Sequence, residues 1–297
     1  MKLGIIGISE GNGHPYSWSA IFNGYSKKHM ESCGFPVIPR YLEHERWPNC
    51  QISGATVTTV WTQDIKTSTK ISKASNIPII SEHPEDMIGT IDALLLARDD
   101  AENHFDIAKP FLDAGLPIYI DKPIALSLES LRKIYRNERY PGQVFTCSAL
   151  RYSQQLQISY HDRQELGDIR EIVATTPKCW SKYSVHIIEP VLKMLPTGDR
   201  LLSYEKEKDN NHAESSTLIV RWKSGIQTKF IALGDTQAEI SIKVIGAKST
   251  KLLTFSDTFS AFKAALSDFI SGIRSNTIKS PKRFNEQVVD LIEKGMP

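Results

Sequence analysis

Three groups of residues in this 297-residue chain have types and spacings suited to chemistry. The first is Ile118-Tyr119-Ile120-Asp121-Lys122-Pro123-Ile124-Ala125, a short apolar strand that runs into an acid, a lysine and a proline. In open α/β sheets ligands bind in the crevice beyond the carboxyl ends of the strands, so Lys122 puts a cation where a ligand would meet the sheet. A lysine held there can stabilise an oxygen that gains negative charge. Asp and Pro also favour plain surface turns, and the tripeptide alone does not separate the two readings. The second group is Trp180-Ser181-Lys182-Tyr183-Ser184-Val185-His186-Ile187-Ile188-Glu189-Pro190, in which His186 and Glu189 share a helix face. A histidine accepts and returns a proton near neutral pH, but this one also reads as a packed side chain with a salt-bridge partner. The third is the loop Gly7-Ile8-Ser9-Glu10-Gly11-Asn12-Gly13-His14. Its N–H groups could wrap a pyrophosphate at a helix N-terminus. The pattern departs from G-x-G-x-x-G, because Ser9 and Asn12 stand where glycines are usual, with Gly11 and Gly13 beside them.

The elements that must position these groups follow from apolar patterning. Leu3 to Gly7 reads as a buried first strand, and Pro15 fits the first turn of a helix that turns Trp18, Ile21, Phe22 and Tyr25 inward. Lys28 to Gly54 breaks any regular period with Pro36, Pro39 and Pro48, yet carries Phe35, Tyr41 and Trp47; it is too apolar for a linker and reads as an ordered excursion that either packs on the domain or contributes to a substrate pocket. A second strand follows over Ala55 to Trp61. Ile91 to Ala97 is another, and a helix with Phe105, Ala108, Phe111 and Leu112 on one face leads from it to the 118–120 strand, as in a parallel crossover unit. After a short helix over Leu126 to Tyr135, strands dominate: Gln143 to Ala149, Ile169 to Thr176, Ser215 to Trp222, Ile226 to Leu233, Glu239 to Ile245 and Thr250 to Phe255. Lys223-Ser224-Gly225 forms a hairpin turn between two of them. Apolar stripes predict helices over Ser184 to Leu195 and after Asp257, which cover one face of that sheet.

Composition narrows the partners. The formal net charge is +2, so no global field points to nucleic acid or an anionic membrane, and a small molecule is the expected partner. Cys33, Cys50, Cys147 and Cys179 show no CxxC spacing, which argues against a metal site or disulfide framework and for reduced thiols. No apolar run approaches a membrane span and no secretory leader is recognisable, so a soluble, cytoplasmic protein is expected.

The order of these features resembles the Gfo/Idh/MocA oxidoreductase family over essentially the whole chain: the glycine loop, Asp92-Ala93-Leu94-Leu95-Leu96-Ala97, His104, Asp121-Lys122-Pro123-Ile124-Ala125-Leu126-Ser127-Leu128, then His186. The resemblance implies an α/β plus α+β architecture. A Rossmann domain over 1–123 would bind NAD or NADP, and an open, mainly antiparallel sheet domain over 124–297 would serve substrate and oligomerisation, with C-terminal helices packing back on the first domain. It implies that Lys122 lies beside the nicotinamide and the reacting hydroxyl, that Asp121 orients the turn around a cis Lys122–Pro123 peptide, and that His186 is the catalytic histidine. Tyr183 would stand in as a hydrogen-bonding group, because Lys182 occupies the position where many members carry Asp. Gly7, Ser9, Gly11, Asn12, Gly13, His14, Thr62, Ala97, His104 and Lys122 would contact the cofactor, and Arg151, Tyr152, Lys182 and Glu189 the substrate. Arg98-Asp99-Asp100 replaces the Thr-Pro-Asn common after the fourth strand. The choice between NAD and NADP stays open, since Thr62 and Gln63 stand where a ribose-binding acid is usual and Asp64 and Lys66 follow. The implied activity is oxidation of a secondary alcohol, or reduction of the ketone, on a sugar, sugar nucleotide or polyol, in a homo-oligomer. Alternatives are a non-catalytic nucleotide-sensing protein, a biliverdin-reductase-like reductase and an NAD-assisted lyase.

Overall fold

Buried on both faces, a strand of a parallel sheet must be apolar throughout, and Ala93–Leu96 and Ile118–Ile120 meet that condition at every residue. In the computed structural model, which describes residues 1–207 and 215–297, they lie at the heart of a six-stranded sheet. Its strands are β1 (Lys2–Ile6), β2 (Thr56–Trp61), β3 (Ile79–Ile80), β4 (Ala93–Leu96), β5 (Ile118–Ile120) and β6 (Val144–Phe145). Every pairing is parallel and the spatial order is β3-β2-β1-β4-β5-β6. Strand order reverses between β1 and β4, so the loops leaving those two strands flank a crevice at the sheet's carboxyl edge. The helix His14–Asn23 follows β1 with Pro15 in its first turn, and His104–Asp113 links β4 to β5. The sheet, its helices and residues 262–285 form one compact unit made of Met1–Ala125, Glu129–Thr146 and Phe262–Asn285.

The excursion after the first helix is ordered. It forms the short helices Lys27–Met30 and Val37–Glu43 and buries Met30, Ile38 and Leu42. Phe35 and Ile38 press on the glycine loop itself: a Cβ on Gly13 would lie 2.8 Å from Phe35 and 2.6 Å from Ile38. Glycine at 13 therefore serves packing against the excursion.

The second unit comprises Leu126–Leu128, Cys147–Ala261 and Glu286–Pro297. Its sheet contains β7 (Ile169–Thr176), β8 (Leu201–Glu207), β9 (Ser215–Trp222), β10 (Gln227–Leu233), β11 (Ser241–Gly246) and β12 (Thr250–Thr254), in the order β12-β11-β7-β10-β9-β8. β7 and β10 are parallel and the other four pairings are antiparallel. Burial alternates along β9 and β10, with Leu218, Val220, Phe230 and Ala232 inward. The helix Val185–Met194 lies against β7 on this sheet. Residues 286–297 are tied in by Trp180 Nε1–H donating to the Ile292 carbonyl (2.8 Å) and Ser216 Oγ–H to the Gly295 carbonyl (2.6 Å).

Two expectations from sequence need correction. The strand expected over Gln143 to Ala149 is only β6, because Ser148 Oγ accepts the Leu150 N–H (3.2 Å) and turns the chain into a 3₁₀ segment, Ala149–Tyr152. β8 was not expected at all: Leu-Leu-Ser-Tyr-Glu-Lys-Glu lacks apolar alternation, and as an edge strand it leaves most of its residues exposed. Among the described residues no helix is long and apolar enough to cross a membrane.

Candidate functional site

In the first unit the carboxyl edge of the sheet gathers a set of coupled polar groups. Asp99, beyond β4, accepts the Ser9 hydroxyl on Oδ1 (2.7 Å) and returns its own N–H to Ser9 Oγ (3.0 Å), which ties the loops after β1 and β4 across the switch point. Lys122 Nζ lies 3.7 Å from Asp99 Oδ2, and the lysine is buried. Its neighbour Asp121 is wholly buried at the end of β5 and accepts from Asn12 Nδ2–H (2.9 Å), from His14 Nδ1–H (2.5 Å) and from the Lys122 N–H (2.7 Å). Burial would push the Asp121 carboxyl up. The charges of His14 and Lys122 and the bonds from His14 and Asn12 outweigh it and hold the group at about 2. The Lys122–Pro123 peptide is cis.

Asn12 also closes an Asx turn ahead of the helix, with Oδ1 accepting the His14 N–H (2.8 Å). The His14 ring stacks on Trp18 at 5.0 Å, and Trp18 in turn stacks on Tyr119 at 4.7 Å. Gln63 brackets the start of the loop: Nε2–H donates to the Ile8 carbonyl (2.6 Å), while Oε1 accepts the Ile8 N–H and Arg98 Nη1–H (both 3.2 Å). Arg98 forks onto Asp100 at 2.9 and 2.5 Å. Among the described residues no group accepts from the backbone N–H groups of Glu10, Gly11 and Gly13. Open donors at a helix N-terminus, with no Cβ-sized obstruction above Gly11, fit a pyrophosphate.

The second unit holds the other set of groups. Ser148 is fully buried; its N–H donates to Glu189 Oε1 (2.9 Å) and its Oγ lies 2.8 Å from His186 Nδ1. Glu189 Oε2 is 3.5 Å from Arg151 Nε. Burial pushes the Glu189 carboxyl up to about 7 against the opposing pull of Arg151 and the Ser148 N–H. Arg151 Nη2–H donates to the Tyr152 hydroxyl (3.2 Å). Lys178 Nζ–H donates to the Tyr183 hydroxyl (2.5 Å), and the Tyr183 ring meets His186 edge-on at 5.5 Å.

Ser9, Asn12, His14, Asp121 and Lys122 thus come together in one unit, and Arg151, Tyr152, Tyr183, His186 and Glu189 in the other; Lys182 is half-buried beside Tyr183 on the four-residue helix Trp180–Tyr183. Gly7 is pressed by Pro15, where a Cβ would lie 2.2 Å from Cγ. Ala97 is buried and continues the β1–β4 ladder through its N–H to the Ile6 carbonyl (2.8 Å). The Thr62 hydroxyl is bonded to the Asp64 carbonyl (2.7 Å) and Ser68 Oγ (2.8 Å). His104 is fully buried, with Nδ1 3.0 Å from the Ile124 carbonyl and Nε2 2.8 Å from the Arg98 carbonyl. Asp64 caps the helix Ile65–Ala74, and Lys66 is exposed in its first turn. Sequence reasoning did not single out Ser148 or Lys178, and noted Gln63 and Asp99 only as residues standing where others are usual; the partners of Ser148, Gln63 and Asp99 lie at sequence separations that no local motif reports. Among the described residues no cluster of three His, Cys, Asp or Glu could hold a metal ion.

Comparison with known proteins agrees with this layout. No curated protein matches the chain. Its fold is similar over 99% of its length to myo-inositol 2-dehydrogenase from Lactobacillus plantarum, with 95% of that chain covered, TM-score 0.73 and 13% identity. It is similar over 100% to myo-inositol dehydrogenase from Lactobacillus casei in complex with NAD(H) and myo-inositol, with 93% of that chain covered, TM-score 0.70 and 14% identity. Biliverdin reductase from Synechocystis, in complex with biliverdin and NADP+, is similar over 99%, with 97% of that chain covered, TM-score 0.70 and 11% identity. At such identities the likeness is one of fold. The sequence itself matches the family described as an oxidoreductase family with an NAD-binding Rossmann fold, over residues 34–148. That stretch includes β2 to β6 and the Asp121-Lys122-Pro123 turn, and over it the chain is similar to the Gfo/Idh/MocA oxidoreductases.

Proposed function

We propose that this protein catalyses a reversible NAD(P)-dependent oxidation of a secondary alcohol on a sugar, sugar nucleotide or polyol. The observation that carries the reading is Lys122: a buried ammonium at the carboxyl end of β5, flanked by Asp99 and by a fully ionised Asp121, at the edge where the glycine loop presents open N–H donors. The N–H groups of Glu10, Gly11 and Gly13 would hold the cofactor's pyrophosphate. The nicotinamide, when bound, supplies hydride acceptance and donation. Lys122 donates a hydrogen bond to the reacting oxygen, and its fixed charge favours the alkoxide-like transition state. Asp121 does not exchange protons near neutrality; it keeps Asn12, His14 and the lysine backbone in register. His186 accepts the hydroxyl proton in oxidation and returns it in reduction. Arg151 and Tyr152 supply donors for neighbouring hydroxyls of the substrate, a recognition role that supports polyols and sugars over apolar alcohols.

The test is binding of NAD(H) and NADP(H) by nicotinamide fluorescence, followed by turnover on a panel of polyols, sugars and sugar nucleotides. Lys122→Ala should lower kcat by about a hundred- to a thousandfold, with cofactor affinity nearly unchanged. Full turnover in that variant would remove Lys122 from the mechanism. The Asp99 carboxylate beside the glycine loop favours a second reading, in which Lys122 serves only to neutralise it and the protein senses nucleotide without turnover. Cofactor binding without oxidation or reduction of any member of the panel supports that reading.

A further inference from the structure

A histidine that exchanges protons needs one ring nitrogen anchored so that the other stays aimed, and the anchor is most often a carboxylate or a carbonyl. On His186 the anchor at Nδ1 is a hydroxyl, Ser148 Oγ at 2.8 Å. Each ring nitrogen has a single in-plane site, and the bond to Ser148 takes up the one at Nδ1. Ser148 is itself held on both sides. It is fully buried, its N–H donates to Glu189 Oε1 at 2.9 Å, and its Oγ accepts the Leu150 N–H at 3.2 Å. Glu189 lies one turn beyond His186 on the helix Val185–Met194, so serine backbone and serine hydroxyl are bound to successive turns of one helix. Arg151, 3.5 Å from Glu189 Oε2, closes the arrangement behind it.

We propose that Ser148 is the positioning residue of His186, holding the imidazole in one orientation in each of its protonation states. The inference rests on the reading of His186 as the proton-transferring group. A carboxylate can only accept, so it fixes the ring by keeping a proton on Nδ1 and adds a negative charge that favours the imidazolium. A hydroxyl does both. It accepts from Nδ1–H when the Nε2 lone pair is open as a base, and again when the ring is doubly protonated; it turns and donates to Nδ1 when Nε2 carries the only proton. The ring stays in place while its charge changes, which suits a reaction run in both directions.

The experiment is Ser148→Ala in the full-length protein, with ¹⁵N histidine shifts followed from pH 5 to 9 and His186 assigned by His186→Gln. Ser148→Thr restores the hydroxyl. We expect Ser148→Ala to change the His186 Nδ1 shift and tautomer ratio, and to lower kcat about 10- to 100-fold, part of the usual contribution of a general acid or base, while the KM for cofactor is unaltered. The Thr variant should recover the wild-type shifts and most of kcat. Unchanged ring shifts in Ser148→Ala overturn the proposal, as does a changed ring with wild-type kcat. If the wild-type protein turns over none of the substrate panel, the dehydrogenase reading falls by itself, and the ring shifts alone then decide whether Ser148 anchors His186.

Discussion

Replacing Asp121 by Asn tests how much of the first unit's stability depends on one buried charge. The carboxylate accepts three hydrogen bonds, from Asn12, His14 and the Lys122 N–H, and is held at about 2 against an ordinary 3.8. With about 1.4 kcal/mol for each pH unit of separation, the ionised form contributes roughly 2–3 kcal/mol at neutral pH. Asn keeps the shape but turns an NH₂ toward donors, so an unmet bond adds about 1 kcal/mol or more. We therefore expect Asp121→Asn to lose about 3–4 kcal/mol in urea unfolding at pH 7. The sign of the pH dependence follows from a folded-state value below the unfolded one. The contribution is fully present above about pH 5 and drains away as pH falls toward about 2, leaving a gap of about 1 kcal/mol from the unmet bond. Denaturation curves at pH 7, 5, 4 and 3 measure the gap. A gap below about 0.5 kcal/mol at pH 7, or one of constant size down to pH 3, would refute the argument that charge at Asp121 holds the strand-end turn together.

Glu189 gives the opposite slope. Burial raises it to about 7, so the folded state holds a proton that the unfolded chain has lost, and wild-type stability declines between about pH 4.5 and 7. Glu189→Gln should match wild type near pH 5 and exceed it by up to about 3 kcal/mol above pH 8; a variant that is weaker at pH 8 than at pH 5 contradicts this. Gly13→Ala should cost about 1–3 kcal/mol by driving a methyl into Phe35 and Ile38, and Ile38→Val should recover part of it in the double variant; additive losses in thermal melts would mean that the excursion does not press on the loop. The Asp64 carboxylate is engaged by the Lys66 and Thr67 N–H groups and the Thr67 hydroxyl, and Lys66 is exposed beside it. We expect NADP(H) to bind more tightly than NAD(H), with Lys66→Glu reversing the order; tighter NAD(H) binding by wild type in fluorescence titration excludes Lys66 as a phosphate ligand.

What could be read from the sequence was what local chemistry encodes. β4 and β5 are buried at every position, so their apolar runs announced a parallel sheet, and the strand-end placement of Lys122 followed from that alone. β7, β9 and the helix over 185–194 were equally legible from period and turn residues. What escaped were features decided by a partner distant in sequence. Ser148 ends β6 early through a bond to the next turn and then reaches His186 and Glu189, and nothing in Cys147-Ser148-Ala149 marks it for that. Asp99 looked like a lost contact when judged against the usual Thr-Pro-Asn; its carboxylate instead joins Ser9 to Lys122. Asp99 thus places an acid at the carboxyl edge of the sheet. A buried ammonium needs a counter-charge, which Asp99 supplies to Lys122, and the His186 ring meets a hydroxyl, that of Ser148. Both contacts, an ion pair and a hydrogen bond, join residues far apart in the chain, which is why neither is visible in a local motif.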